Sequence, residues 1–330
     1  MEKNPPPPSS EPSGPPLRIV FMGTPALAAQ VLDSLIRQGG DEFTVVGVVT
    51  RPDQPRQRGL KLAPSEVAVS AARHGIPTLK PDKIRTSAFL DELRAFAPDL
   101  IVVVAYGRIL PSPVLELAPP INVHASLLPR HRGAAPIEGA LLAGDRTSGV
   151  TIMRIIAQLD AGPILLQRSI ALAADETQGS LKEKLAALGA SALLEALRLF
   201  KQGALPATPQ DEALATFTTL VKKEDSIIAW ASDASRIERT IRAYNPWPVA
   251  RTSYGGEDLL IWQARIAAAP LAAGLTAEPG TIVQVKPAPL VRCGDGWLAL
   301  LEVQAPGRRR ISAADFLRGR RVVSGARLGT

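Results

Sequence analysis

Short apolar runs alternating with helix-length amphipathic stretches constrain this chain more than any other feature. LRIVFMG, ending at Gly23, precedes TPALAAQVLDSLIRQGG; FTVVGVVT, SEVAVSAARHG, IPTLKP, SAFLDELRAFAP and DLIVVVAYG, ending at Gly107, continue the alternation. The apolar runs have strand length and little polar content, as expected of strands covered on both faces. The pattern therefore predicts an α/β fold with a Rossmann-like, mainly parallel sheet and helical crossovers. In the first crossover Thr24 is expected to cap the helix, Pro25 to occupy its first turn and Gly39 to mark its exit. FMGTP, the loop before it, lacks G-x-G-x-x-G, so the glycines that would hold a dinucleotide phosphate are missing.

The segment from Ile121 to Gln167 gathers the polar residues that such a fold would place at strand ends. In an extended INVH strand, Asn122 and His124 project to one face and Val123 to the other. SLLPRHRG follows at once, with Pro129 and Gly133 forcing an irregular loop, and strand-end loops of open α/β sheets hold ligands. Asp160 comes 36 residues after His124. A helix expected over Ala135 to Leu142 and a GVTIMRI strand give the chain length to return, and the turn DAG is expected to expose the carboxylate.

A carboxylate near an imidazole favours its cationic form, which can donate to an oxyanion, and Asn122 adds a neutral donor. Neither a G-x-S-x-G elbow nor a cysteine nucleophile is evident, Cys293 being the single cysteine. The chemistry suggested is acyl transfer to a nucleophile that the substrate itself supplies. Taken singly, His124 and Asn122 read as satisfied strand-end groups and Asp160 as a turn residue; together they point to an active site. His74, His124 and His131, spaced by 50 and 7 residues, match no compact zinc motif, and no metal is expected.

These residues resemble the 10-formyltetrahydrofolate-dependent formyltransferases, whose signature is Asn-x-His followed by SLLP, RG-AP and a later L-D-x-G. VVVAYGRILP, INVHASLLPRHRGAAPI, GVTIM and the later YNPWP extend the likeness over about Leu17 to Leu328. The resemblance implies Asn122, His124 and Asp160 as the catalytic trio, Ser126, Leu127, Leu128 and Pro129 as the folate-binding loop, and 10-formyltetrahydrofolate as the co-substrate. Within the family it points to the members that formylate the α-amine of initiator methionyl-tRNA. Two positions depart from the pattern: Ala125 stands where glycine is usual, and Pro163 where an acidic residue is frequent.

At 330 residues the chain suits two domains. SLKEKLAALGASALLEALRLFKQG reads as one long amphipathic helix ending at Gly203, its leucines in the core. The expected division is a Pro-rich tail over 1–16, a catalytic domain over 17–203, a linker over 204–220 and a second domain over 221–330. In the last, a helix around Ala234 to Ala243 precedes YNPWP, and LLIWQARI, GTIVQV, PLVRC and GWLALLEVQ are short strand-like runs that suggest a small β-barrel. The family resemblance makes that barrel OB-like, a fold often used on nucleic acid.

Charge bears on the partner. The formal net is +7, and Arg308 to Thr330 holds seven arginines against Asp315 alone. A second concentration, RPDQPRQRGLK, sets Arg51, Arg56, Arg58 and Lys61 against Asp53. Such cations can meet phosphates, although basic surface runs are often only solvated faces. By resemblance this loop enters the tRNA acceptor end, with Arg58 as its characteristic arginine. No apolar run approaches the ~20 residues that span a bilayer, and the start lacks a signal-peptide pattern. A cytoplasmic monomer without membrane contact is the expectation. The competing readings are a formyltransferase for an amino sugar nucleotide or glycinamide ribonucleotide, a 10-formyltetrahydrofolate hydrolase, and a noncatalytic RNA-binding module.

Overall fold

The computed structural model describes residues 14–56, 61–268, 277–284 and 288–329. Most of the Pro-rich tail, Arg58, and the side chains of Arg56 and Lys61 lie outside the described residues. Contacts gather the chain into two compact units. One draws on Met1–His124, Val150–Arg168 and Ala186–Asp211, the other on Ala125–Gly149, Ser169–Leu185 and Glu212–Thr330.

The first unit is built on a seven-stranded sheet. Its strands run in the order Ile164–Ala171, Thr147–Arg154, Pro120–His124, Leu100–Val104, Leu17–Gly23, Phe43–Val49 and Thr78–Leu79. The five strands from Pro120–His124 through Thr78–Leu79 pair in parallel. Thr147–Arg154 joins the Pro120–His124 strand antiparallel. Apolar runs occupy the middle because both faces are covered: Ile19, Val20, Phe21, Met22, Leu100, Ile101, Val102 and Val104 are all fully buried.

The crossover helices bury one face each. Ala26–Gly39 packs Val31, Leu32 and Leu35 inward, and Gln178–Lys201 buries Leu181, Leu185, Leu193 and Leu197. Ser65 and Thr86 cap the Glu66–Arg73 and Ser87–Ala95 helices by accepting from backbone N–H groups three residues on. The first helix departs from expectation. Pro25 is its N-cap, and the Thr24 hydroxyl donates to the Tyr106 carbonyl at 3.2 Å instead of capping. With Pro25 as the N-cap, Thr24 stands one residue outside the helix, and its hydroxyl makes a tertiary bond there. Gly39 remains helical, and Gly40 makes the exit with φ 51°.

In the second unit a curled antiparallel half-barrel follows the helix Ala234–Ala243, in keeping with an OB-like fold. Its strands lie in the order Arg251–Tyr254, Glu257–Ala267, Trp297–Gln304, Leu290–Arg292 and Ile282–Gln284, with Ile311–Ser312 added to Trp297–Gln304. Ile237, Ile241, Ile261, Val291, Leu298, Leu300 and the Cys293 thiol fill its core. Among the described residues no helix is long and apolar enough to cross a membrane.

Candidate active site

The candidate catalytic residues belong to the first unit. Pro120–His124 is held by Leu100–Val104 on one side and Thr151 to Arg154 on the other, with Asn122 opposite Met153 and His124 opposite Thr151. Val123 faces the long helix: a Cβ built on Gly189 would meet Val123 Cγ1 at 3.0 Å. Asn122 and His124 therefore share the opposite face. His124 is buried and Asn122 half-buried.

Asp160 reaches the same place from a loop. Its Oδ2 stands 3.8 Å from His124 Nδ1, with the side chains 13% and 6% exposed. Backbone geometry explains both its reach and its burial. Asp160 adopts the left-handed region at φ 48°, a conformation that aspartate tolerates better than most side chains. Gly162 then lies so close to the neighbouring strand that a Cβ there would sit 1.9 Å from the Arg154 carbonyl oxygen. The DAG turn thus tucks its carboxylate inward, against the expectation that a turn would expose it. The Pro163 carbonyl accepts from Arg154 N–H at 3.0 Å, so residue 163 contributes main chain to the sheet edge.

The turn has a partner that the sequence did not reveal. Gln210 Nε2 donates to the carbonyls of Asp160 at 2.8 Å and Gly162 at 2.7 Å. Thr208, two residues earlier, exchanges backbone hydrogen bonds with Ile164 in both directions. Pro and Thr in ALPATPQDEALATFT gave this stretch the composition of a plain connection. Its pairing partners are about 50 residues distant and leave no periodic signal.

In the basic loop, Gln54–Arg56 and Lys61–Ala63 pair antiparallel. Exposed Arg51 donates from Nη2 to the Gly107 carbonyl at 3.4 Å, and Asp53 pairs with Lys80 at 2.6 Å. Lys80 lies beyond the basic run, so the loop's one acidic residue serves a cation from elsewhere.

In the second unit, the SLLP segment is held tightly. Ser126 and Leu128 are buried, and the Ser126 hydroxyl donates to the Arg130 carbonyl at 2.6 Å. Pro129 accepts from Thr216 N–H at 3.3 Å. Leu127 lines a cavity of about 250 Å³ with Arg130, His131, Asp145 and Ser148.

Beyond the loop, His131 and Arg130 both engage Asp145, at 2.7 and 2.6 Å. Fully buried Arg132 forms a two-pronged pair with Glu212 at 2.9 and 2.8 Å. The Arg132 guanidinium hydrogen bonds hold the Glu212 carboxyl below its ordinary range. Gly133, at φ 109°, lets Phe217–Thr218 pair beside Arg132–Gly133; a Cβ there would meet the Thr218 oxygen at 2.2 Å. A larger cavity of about 590 Å³ opens among Glu138, Tyr244, Asp225 and Phe217. Burial pushes the Glu138 carboxyl and the Tyr244 hydroxyl up from their ordinary values.

A strand-end Asn and His, an inward carboxylate and a following SLLP loop agree with two sequence matches. Residues 17–197 match the formyl transferase family, and residues 220–321 match the formyl transferase C-terminal domain. The chain belongs to the formyl transferase family. As a formyl transferase it is 46% identical over 316 residues to the methionyl-tRNA formyltransferase of Roseiflexus sp. (strain RS-1), covering 95% of this chain and 96% of that protein. It is also 46% identical over 316 residues to that of Methylococcus capsulatus, covering 95% of this chain and 100% of the other. Its fold is shared with a solved N-formyltransferase from Helicobacter canadensis in complex with folinic acid and dTDP-3-aminofucose. That likeness has a TM-score of 0.62 at 14% identity, covering 86% of this chain and 99% of that one.

Proposed function

We propose that this formyl transferase moves the formyl group of 10-formyltetrahydrofolate to the α-amine of initiator methionyl-tRNA, giving N-formylmethionyl-tRNA for translation initiation. The observation that carries this reading is the 46% identity to proteins named methionyl-tRNA formyltransferase, which extends over 95% of the chain. A likeness confined to the catalytic segment would support formyl transfer without favouring one amine.

In the proposed reaction the neutral amine attacks the formyl carbon, forming a C–N bond and a tetrahedral oxyanion. An α-amine titrates near ~8, so a useful neutral fraction exists at physiological pH without a strong base. His124 and Asn122 donate to the oxyanion, each such donor being worth ~3 kcal/mol in the transition state. The Asp160 carboxylate holds the His124 imidazole in its cationic, donating form and takes up the proton that the attacking amine releases, through water. The bond from carbon to N10 then breaks, N10 takes the proton relayed by Asp160, and tetrahydrofolate leaves.

Ser126, Leu127, Leu128 and Pro129 form the folate loop in this reading. Residues 17–203 make the catalytic domain, 204–220 connect it, and 221–330 form the domain that binds tRNA. Arg51, Arg56, Arg58 and Lys61 meet the phosphates of the acceptor end, where each contact releases counterions. The enzyme works as a cytoplasmic monomer and requires no metal.

The reading is tested by supplying 10-formyltetrahydrofolate with charged and uncharged initiator tRNA, glycinamide ribonucleotide or an amino sugar nucleotide, and identifying the formylated species. Formylation of charged tRNA alone is expected. Formylation of only a small amine overturns the proposed acceptor, and folate turnover without any amine points to hydrolysis. Tight tRNA binding without product favours a binding module.

A further inference from the structure

We infer that Gln210 is a positioning residue of formyl transfer, holding the Asp160 turn in the one backbone conformation that aims its carboxylate at His124. The inference rests on the reading of Asp160 as a working member of the site.

The stereochemistry of the turn makes an external restraint necessary. Asp160 sits at φ 48°, in a region where side-chain-bearing residues are uncommon and which the surroundings must enforce. Gly162 is wedged against the Arg154 carbonyl, so the turn cannot relax toward the sheet. Within the turn, Ala161 N–H reaches the Gln158 carbonyl at a long 3.4 Å. A primary amide carries two N–H groups on one nitrogen. Gln210 places that nitrogen 2.8 Å from the Asp160 carbonyl and 2.7 Å from the Gly162 carbonyl, matching its two donors to two acceptors.

These bonds bear on the site because one of them lands on the main chain of Asp160 itself. Rotating the peptide that follows Asp160 would break that bond and swing the Cα–Cβ direction of the carboxylate. Gln210 is itself anchored, since the reciprocal Thr208 and Ile164 backbone bonds fix the strand-like segment two residues before it. A side chain serving only the stability of a surface connection would have no reason to place both donors on the carbonyls of the turn that carries the candidate catalytic residue.

The experiment compares full-length Gln210→Met, which keeps length and removes both donors, with Asp160→Asn and the double variant, using 10-formyltetrahydrofolate and methionyl-initiator-tRNA. Gln210→Met is expected to lower kcat by about 10- to 100-fold, the usual consequence of a misplaced catalytic group, while KM for either substrate is held. In the Asp160→Asn background the same substitution should cost less than about twofold more, because coupled residues are not additive.

Gln210→Glu adds an independent readout that folding defects would not mimic. Ionised, it sets a carboxylate against two carbonyls; protonated, it recovers one donor. The kcat ratio of Gln210→Glu to Gln210→Met should therefore rise as pH falls, with titration of the amine cancelling from the ratio. Full activity of Gln210→Met, an undiminished loss in the Asp160→Asn background, or a flat ratio overturns the inference. Full activity of Asp160→Asn alone overturns instead the reading on which it rests.

Discussion

His124 Nδ1 stands 3.8 Å from Asp160 Oδ2, the two groups arriving from a strand end and from a left-handed turn 36 residues later in the chain. That separation places the imidazole and the carboxylate in reach of one another, about 1 Å beyond a short hydrogen bond. Catalytic hydrogen bonds often tighten when substrate is bound. In the proposed reaction the turn that carries Asp160 sets how closely the two groups meet.

Gly162→Ala tests that turn. A methyl group would fall on the Arg154 carbonyl oxygen, and overpacking of this kind typically costs about 1–3 kcal/mol. Displacing Asp160 should also lower kcat about 100-fold. Gly319→Ala is the control, because a Cβ there meets nothing within 4 Å. Denaturant unfolding and kcat should leave that variant close to wild type, and an active Gly162→Ala protein of normal stability would contradict the geometry.

Glu138 supplies a pH signature. Burial raises its folded-state pKa, so its favourable contribution is complete below the unfolded carboxylate range and is lost as pH rises through the folded value. Glu138→Gln keeps the acceptor for Gln178 and removes the ionisation. Thermal unfolding should show the variant more stable than wild type at neutral pH, with the advantage vanishing below the ordinary glutamate range. An advantage that grows on acidification would give the shift the opposite sign.

The alternation of apolar runs was enough to foresee the parallel sheet, because strands buried on both faces need continuous apolar sequence. The two-residue spacing of Asn122 and His124 likewise fixed their shared face. What was not legible depends on long-range main-chain bonding. The inward tilt of Asp160 follows from its positive φ and from the crowding at Gly162, and Gln210 gives no local pattern. Thr24 looked like a cap because the sequence could not reveal the competing Tyr106 carbonyl.

Cys293 should be inert while the protein is folded. It is fully buried among core residues of the half-barrel, and burial pushes its thiol up to about 12, leaving almost no thiolate at pH 8. A thiol reagent is expected to label the native chain at no site and the denatured chain at one. Prompt labelling of native protein would show that this part of the core opens.

The basic loop is tested through salt. Arg58→Ala and Arg51→Ala should each raise KM for tRNA and reduce the slope of log KM against log salt by about 1, as loss of one phosphate contact would. KM for the folate should be unchanged. An equal loss toward folate would indicate a damaged site instead of a lost tRNA contact.

In the proposed function His124 and Asp160 together carry formyl transfer to methionyl-initiator-tRNA. Single-turnover transfer from 10-formyltetrahydrofolate, measured for wild type, His124→Ala and Asp160→Asn with both substrates saturating, tests it most directly. Rapid N-formylmethionyl-tRNA formation is expected of wild type, with a fall of about 100-fold or more in each variant. Near-normal rates in both variants would contradict it.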